Sequence, residues 1–163
     1  MRILALSAAA LLASATAALA APASVTVGVA PELQKKFDKT YGVREAERLT
    51  ADLQATVEKT LTRAGAHDGA RIELTLTDVK PNRPTFKQLG DTPGLSMQSF
   101  GVGGAAIKGR IVAADGTETP LSYRWYETDI RQASYNWVWS DAEWTFDRFA
   151  RRLARDGAVL AQR

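Results

Sequence analysis

The sequence predicts an α+β fold, a two-layer sandwich whose mixed or antiparallel sheet carries helices on one face, in the order β-α-β-β-β-(β)-α. Three observations predict it. Every strand-like segment is apolar on one side and polar on the other, the pattern of a sheet covered on one face only. Two longer segments carry apolar residues at spacings of three and four, the mark of amphipathic helices. The segments follow one another as strand, helix and strand, then a hairpin and a closing helix.

The chain divides into a signal peptide over residues 1–20 and one α+β domain over residues 21–163. Arg2 supplies a positive start, Ile3 to Leu12 is apolar except for Ser7, and Ala18-Leu19-Ala20 offers small residues for cleavage. The apolar run falls short of the roughly 20 residues a permanent span needs. A mature chain beginning at Ala21 is long enough for one domain that buries about two-thirds of its unfolded surface.

Residues 24–29, SVTVGV, alternate as a half-buried strand, and 31–39 can hold a short helical turn. Residues 43–64 form the clearest helix: Val43, Ala46, Leu49, Leu53, Val57, Leu61 and Ala64 make its stripe, and Gly65 stops it. Ile72, Leu74 and Leu76 alternate with polar neighbours in a second strand over 70–79. If it lies parallel to the first, helix 43–64 is a crossover connection. Residues 81–104 show no periodicity and read as a long loop, functional or disordered, with residues 83–101 expected to be mobile.

Residues 105–113 and 118–128 form a hairpin around Asp115-Gly116. A two-residue loop would set Ile107 opposite Arg124 and mix apolar with charged residues on both faces. A three-residue loop with a glycine bulge shifts the pairing by one. It then puts Ile107, Gly109 and Ile111 on one face with Leu121, Tyr123 and Trp125, which is the register expected. Residues 134–139 read as a short final strand. Ser140-Asp141-Ala142-Glu143 reads as a capping box that opens a helix running to Asp156, with Ala142, Phe146, Phe149, Ala150 and Leu153 as its core stripe.

Several chemistries lack their parts. With no cysteine and one histidine, zinc and copper sites of the usual ligands cannot be assembled, and no cofactor is implied. His67, in Ala66-His67-Asp68-Gly69, reads as a surface-turn residue. Gly101-Val102-Gly103-Gly104-Ala105-Ala106 matches a dinucleotide-binding spacing, but it follows a loop and opens a strand. The full chain carries a net charge of +3, and loss of the leader removes only Arg2; that balance does not imply nucleic acid. No second apolar segment is long enough to cross a membrane.

Three surfaces carry binding residues. The polar sheet face is expected to display Arg71, Glu73, Lys108, Arg110, Arg124 and Tyr126, a basic surface suited to an anionic envelope component such as lipopolysaccharide phosphate or an acidic glycan. Tyr135, Trp137 and Trp139 alternate and can form an aromatic platform for sugars or a protein, or belong to the core. Trp144 falls opposite the core stripe, beside Arg148, Arg151 and Arg155, in a setting for cation–π contact or an interface.

The stretches VREAERLTADL (43–53), TDVKPNRPTF (77–86), VGGAAIKGRI (102–111) and WSDAEWTFDRFARRL (139–153) resemble uncharacterised families of small bacterial exported proteins and envelope lipoproteins. The resemblance implies an α+β envelope domain with no assigned activity and no catalytic residues. Lipoprotein members carry a lipidated cysteine, and this chain has none. The expected function is therefore that of a non-enzymatic periplasmic or secreted protein that binds an envelope partner or supports envelope assembly. Its rivals are a glycan-binding module using Tyr135, Trp137 and Trp139, and a hydrolase using Glu127, Asp129 or a group from the 83–100 loop.

Overall fold

The computed structural model describes residues 20–156, so the expected leader lies outside the described residues except for Ala20. The order is β1 (Ser24–Val29), α1 (Pro31–Lys36), a π-helical turn (Phe37–Tyr41), α2 (Val43–Ala64), β2 (Arg71–Lys80), α3 (Phe86–Asp91), β3 (Gly104–Val112), β4 (Glu118–Tyr126), a 3-10 turn (Ile130–Tyr135) and α4 (Ser140–Asp156). The strands form one mixed sheet in the order β1-β2-β3-β4. β1 and β2 run parallel, joined through α2, and the other neighbours are antiparallel.

Both long helices cover one face. α2 packs on β1, α4 packs on β3 and β4, and the helices pack on each other. Their stripes interlock with the inner sheet residues. Leu49, Leu53, Val57 and Leu61 meet Phe146, Phe149, Ala150 and Leu153 above Ile72, Leu74, Leu76, Ile107 and Tyr123, all buried. Val43, at the start of the expected stripe, is exposed. α2 ends where Gly65 turns left-handed (φ 60°), and the amides of Gly65 and Ala66 close back on Thr62 and Leu61.

The hairpin adopts the odd-length loop. Ile107 pairs with Tyr123 and Gly109 with Leu121, while Ala113 and Thr117 close a three-residue turn in which Gly116 has φ 86°. Gly109 lets β2 and β3 come together: a Cβ there would stand 2.1 Å from the Glu73 carbonyl oxygen.

Three expectations are corrected. Residues 134–139 are not a strand: the 3-10 turn ends at Tyr135, and the chain then turns sharply into α4. Aromatic alternation suggested pairing, but Asn136 is drawn inward by a carboxylate, and Trp139 folds into the core. Ser140 does not build a capping box. Its hydroxyl accepts from the Trp137 amide, the Glu143 amide bonds to the Trp139 carbonyl, and the Glu143 carboxylate leaves to pair with Arg48. Residues 81–104 are not without structure. They contain α3, opened by a capping box between Thr85 and Gln88.

Candidate functional site

Strand β2 delivers the chain into the 81–103 loop, and β4 delivers it into the 127–139 segment. Both segments emerge at one end of the sheet, where Lys80, Gly104 and Tyr126 lie in one row. A buried carboxylate ties them together. Asp141, on the first turn of α4, has no exposure. Its Oδ2 accepts from Asn82 Nδ2 (2.6 Å) and the Gly103 amide (2.7 Å), and its Oδ1 accepts from Asn136 Nδ2 (2.9 Å). Asn82 Oδ1 accepts in return from the Asp141 amide at 2.9 Å. Among the described residues, no buried side-chain nitrogen or oxygen lacks a partner.

Arg83 is the second tie. Its guanidinium donates to the carbonyls of Asn136 (2.6 Å), Met97 (2.5 Å) and Ser134 (2.7 Å). Three backbone oxygens from two loops thus converge on one planar fork. Both ends of the 83–101 segment are hydrogen-bonded: Arg83 is engaged, and Gly101 bonds to Asn82 through its amide and its carbonyl.

On these tied segments stand the most exposed aromatics of the described chain. Tyr135 is 92% exposed, Phe86 83% and Trp137 76%, with Phe100 and Ile130 about half exposed. Asn136 holds extended backbone (φ −78°, ψ 147°) with its side chain turned in to Asp141, so Tyr135 and Trp137 turn outward on either side. Trp139 does not join them. It is 1% exposed, stacks edge-on against Tyr41 (centroids 5.6 Å apart) and donates from its indole to Glu45 Oε2 at 2.6 Å. The three-aromatic platform is therefore two residues plus a core tryptophan. Phe86, Phe100 and Ile130 were missed because they lie in segments without periodicity. The signal that could have found Phe86 is the sequence Thr85-Phe86-Lys87-Gln88, which is a capping-box spacing.

The outer sheet face brings Glu73, Lys108, Arg110, Arg124 and Tyr126 to one side, with Arg71 at its margin. Its charges are not equally available. Arg110 is held by Glu73 (Nε–Oε2 2.8 Å, Nη2–Oε2 2.7 Å) and by Glu118 (3.3 Å). Lys108 and Arg124, diagonal neighbours across β3 and β4, have no ion-pair partner among the described residues. Tyr126 donates to Asp78 Oδ2 (2.8 Å), and Lys36 pairs with Asp78 Oδ1 (2.8 Å). Burial pushes the Asp78 carboxyl up, but the hydrogen bonds from Lys36 and Tyr126 outweigh it and leave it below its ordinary value. Burial and the Asp78 hydrogen bond push the Tyr126 phenol up.

Glu127 and Asp129 lie beyond β4 rather than on it. Glu127 Oε1 accepts from the Thr128 and Asp129 amides, and Asp129 accepts from the Arg131 guanidinium through both oxygens. The Arg131 hydrogen bond holds Asp129 below the usual carboxylate range, opposite to what a general acid needs. Trp144 is 42% exposed beside Arg148 and Arg151. Arg148, however, lies over Trp125 instead, 4.4 Å from the ring centroid.

No known family model matches the chain, and no curated protein is similar to it. Among solved structures, the fold is distantly similar to a minor lipoprotein from Acinetobacter baumannii, with a TM-score of 0.38 and 13% identity over 86% of this chain and 96% of that one. A likeness this faint carries nothing about activity.

Proposed function

We propose that the chain is an exported, non-enzymatic domain of the bacterial cell envelope, released from its leader after Ala20, and that it binds an envelope protein through its aromatic loop end. One observation carries this reading: Phe86, Phe100, Ile130, Tyr135 and Trp137 are exposed on two loops that Asp141 and Arg83 tie to each other. Large aromatics left in water on fixed backbone lose little further freedom on association, and such residues dominate interface energetics. Against the hydrolase reading, both oxygens of Asp129 accept from Arg131.

A photo-crosslinking residue in place of Trp137, in intact cells, should capture one envelope protein, and the same residue in place of Thr26 on the outer sheet face should not. The purified partner should then bind Trp137→Ala about 30-fold more weakly, the loss of a central aromatic anchor. Equal capture at both positions, or unchanged affinity, would reject the loop end. A second reading, glycan binding, draws on the outward pair Tyr135 and Trp137. It takes precedence if purified peptidoglycan retains the wild type, fails to retain Tyr135→Ala/Trp137→Ala, and no protein is captured.

A further inference from the structure

Residues 20–23 run beside the turn that joins α2 to β2. The Ala21 amide donates to Asp68 Oδ1 at 3.1 Å, and the Gly69 amide donates to the Ala21 carbonyl at 3.0 Å. The Ala23 amide donates to the Ala70 carbonyl at 2.8 Å. The turn has an unusual build. Gly65, His67 and Gly69 all have positive φ (60°, 60° and 66°), and His67 adopts that conformation without the freedom of glycine. The His67 ring lies 3.2 Å from the Leu153 carbonyl, so the end of α4 braces the turn. Asp68 is thereby presented to one particular backbone nitrogen.

That nitrogen is the one the leader's cleavage would release. We propose that Asp68 is the receiving carboxylate for the new N terminus: removal of residues 1–20 turns the Ala21 amide into an ammonium, and a hydrogen bond charged on its acceptor side alone becomes an ion pair. This inference rests on the reading of the chain as exported and cut after Ala20. The chemistry favours the change. The ammonium adds direct Coulomb attraction to a hydrogen bond whose acceptor is already charged. The carbonyl ends of α2 and α4 lie at this same end of the molecule and favour a cation there. Other ionisable groups on the surrounding segments are Arg63 on α2, His67 in the turn, Arg71 on β2, Asp115 in the hairpin loop, and Arg152, Arg155 and Asp156 on α4. Of these, Arg152 and Arg155 pair with Asp156.

The test is an NMR titration of Ala21 in a chain that begins there, either recovered from the periplasm or released from a fusion that leaves Ala21 first. The amine should titrate above its ordinary value of about 8 in the wild type, and at that ordinary value in Asp68→Asn. Added salt should shrink the difference. In a chain that keeps Ala20, Asp68→Asn should change the folding equilibrium less than it does in the processed chain, by up to about fivefold. An ordinary amine in the wild type, or the same raised value in Asp68→Asn, would overturn the proposal alone. A periplasmic species whose mass shows that it starts elsewhere would overturn the processing, and the role of Asp68 with it.

Discussion

Asp141 has two oxygens facing three donors and no exposure of its own. In Asp141→Asn, the charge those donors share is lost, and the side-chain amide accepts through one oxygen only. The substitution should cost about 3 kcal/mol, since a hydrogen bond to a charged group contributes about 1.5–3 kcal/mol and a stranded donor adds to the loss. Urea unfolding measures this, and an unchanged midpoint would mean that the carboxylate is not what holds the end together. Asp78 sits differently, partly open to solvent. Its folded value is below the ordinary one, so its contribution is complete above about pH 4 and fades as acidity carries it through the lower folded value. Tyr126→Phe removes one of the two side chains that hold Asp78 down. It should reduce stability by about 1 kcal/mol at neutral pH and flatten the acid dependence, which unfolding curves from pH 2 to 7 would reveal. A variant with the wild-type acid slope would remove Asp78–Tyr126 from the account.

At the scale of elements, the loop end is a joint between α3, the 3-10 turn and the start of α4, and Arg83 is its fastener. Lysine offers one compact ammonium where three carbonyls lie around a plane, so Arg83→Lys should leave at least one of them unpartnered. Amide exchange should then quicken over residues 95–101 and 133–137 while β2 and α2 stay protected, and partner affinity should fall with it. Uniform protection in the variant would deny Arg83 that role. This joint also marks where the sequence stops being readable. The hairpin register could be read because a one-residue slip moves every side chain to the other face, and only one register segregates Ile107 and Tyr123 from Arg124. The stripes of α2 and α4 could be read for the same reason of period. The fate of 134–139 could not be read: Tyr135, Trp137 and Trp139 alternate as a strand would, and only the pull of Asp141 on Asn136 sends them apart. The capping boxes show the limit most plainly. Ser140 and Thr85 both have the spacing, but at Ser140 the Trp137 amide reached the hydroxyl and Arg48, far along the chain, took Glu143. The exposed half of the candidate site was likewise hidden, because Arg83 is fixed by backbone carbonyls, and these carry no residue identity in a sequence.

Across the whole molecule, β2 separates two ends. Its ten residues span roughly 30 Å, from the turn beside Ala21 to the loop bearing Phe86. Helices cover one face between those ends, and among the described residues the other face is open sheet. On that open face, residue charge alone overstates what an anion would meet. Arg110 stands between Glu73 and Glu118 and is neutralised by them, whereas Lys108 and Arg124 flank the small residues Ala106 and Ser122 with no carboxylate paired to them among the described residues. If the face takes an anionic envelope component, Lys108 and Arg124 supply the grip and Arg110 supplies sheet stability. Two charge reversals separate these roles. Lys108→Glu/Arg124→Glu should abolish salt-sensitive binding to lipopolysaccharide and leave the unfolding midpoint near that of the wild type. Arg110→Glu should set three carboxylates side by side across β2, β3 and β4 and lower the unfolding midpoint below that of the wild type, because like charges facing each other across strands repel. Since both changes lie on the sheet face, neither should alter capture of a protein at Trp137. Binding that survives the double reversal, or that does not weaken between low and moderate salt, would take the sheet face out of the function and leave the loop end as the working surface.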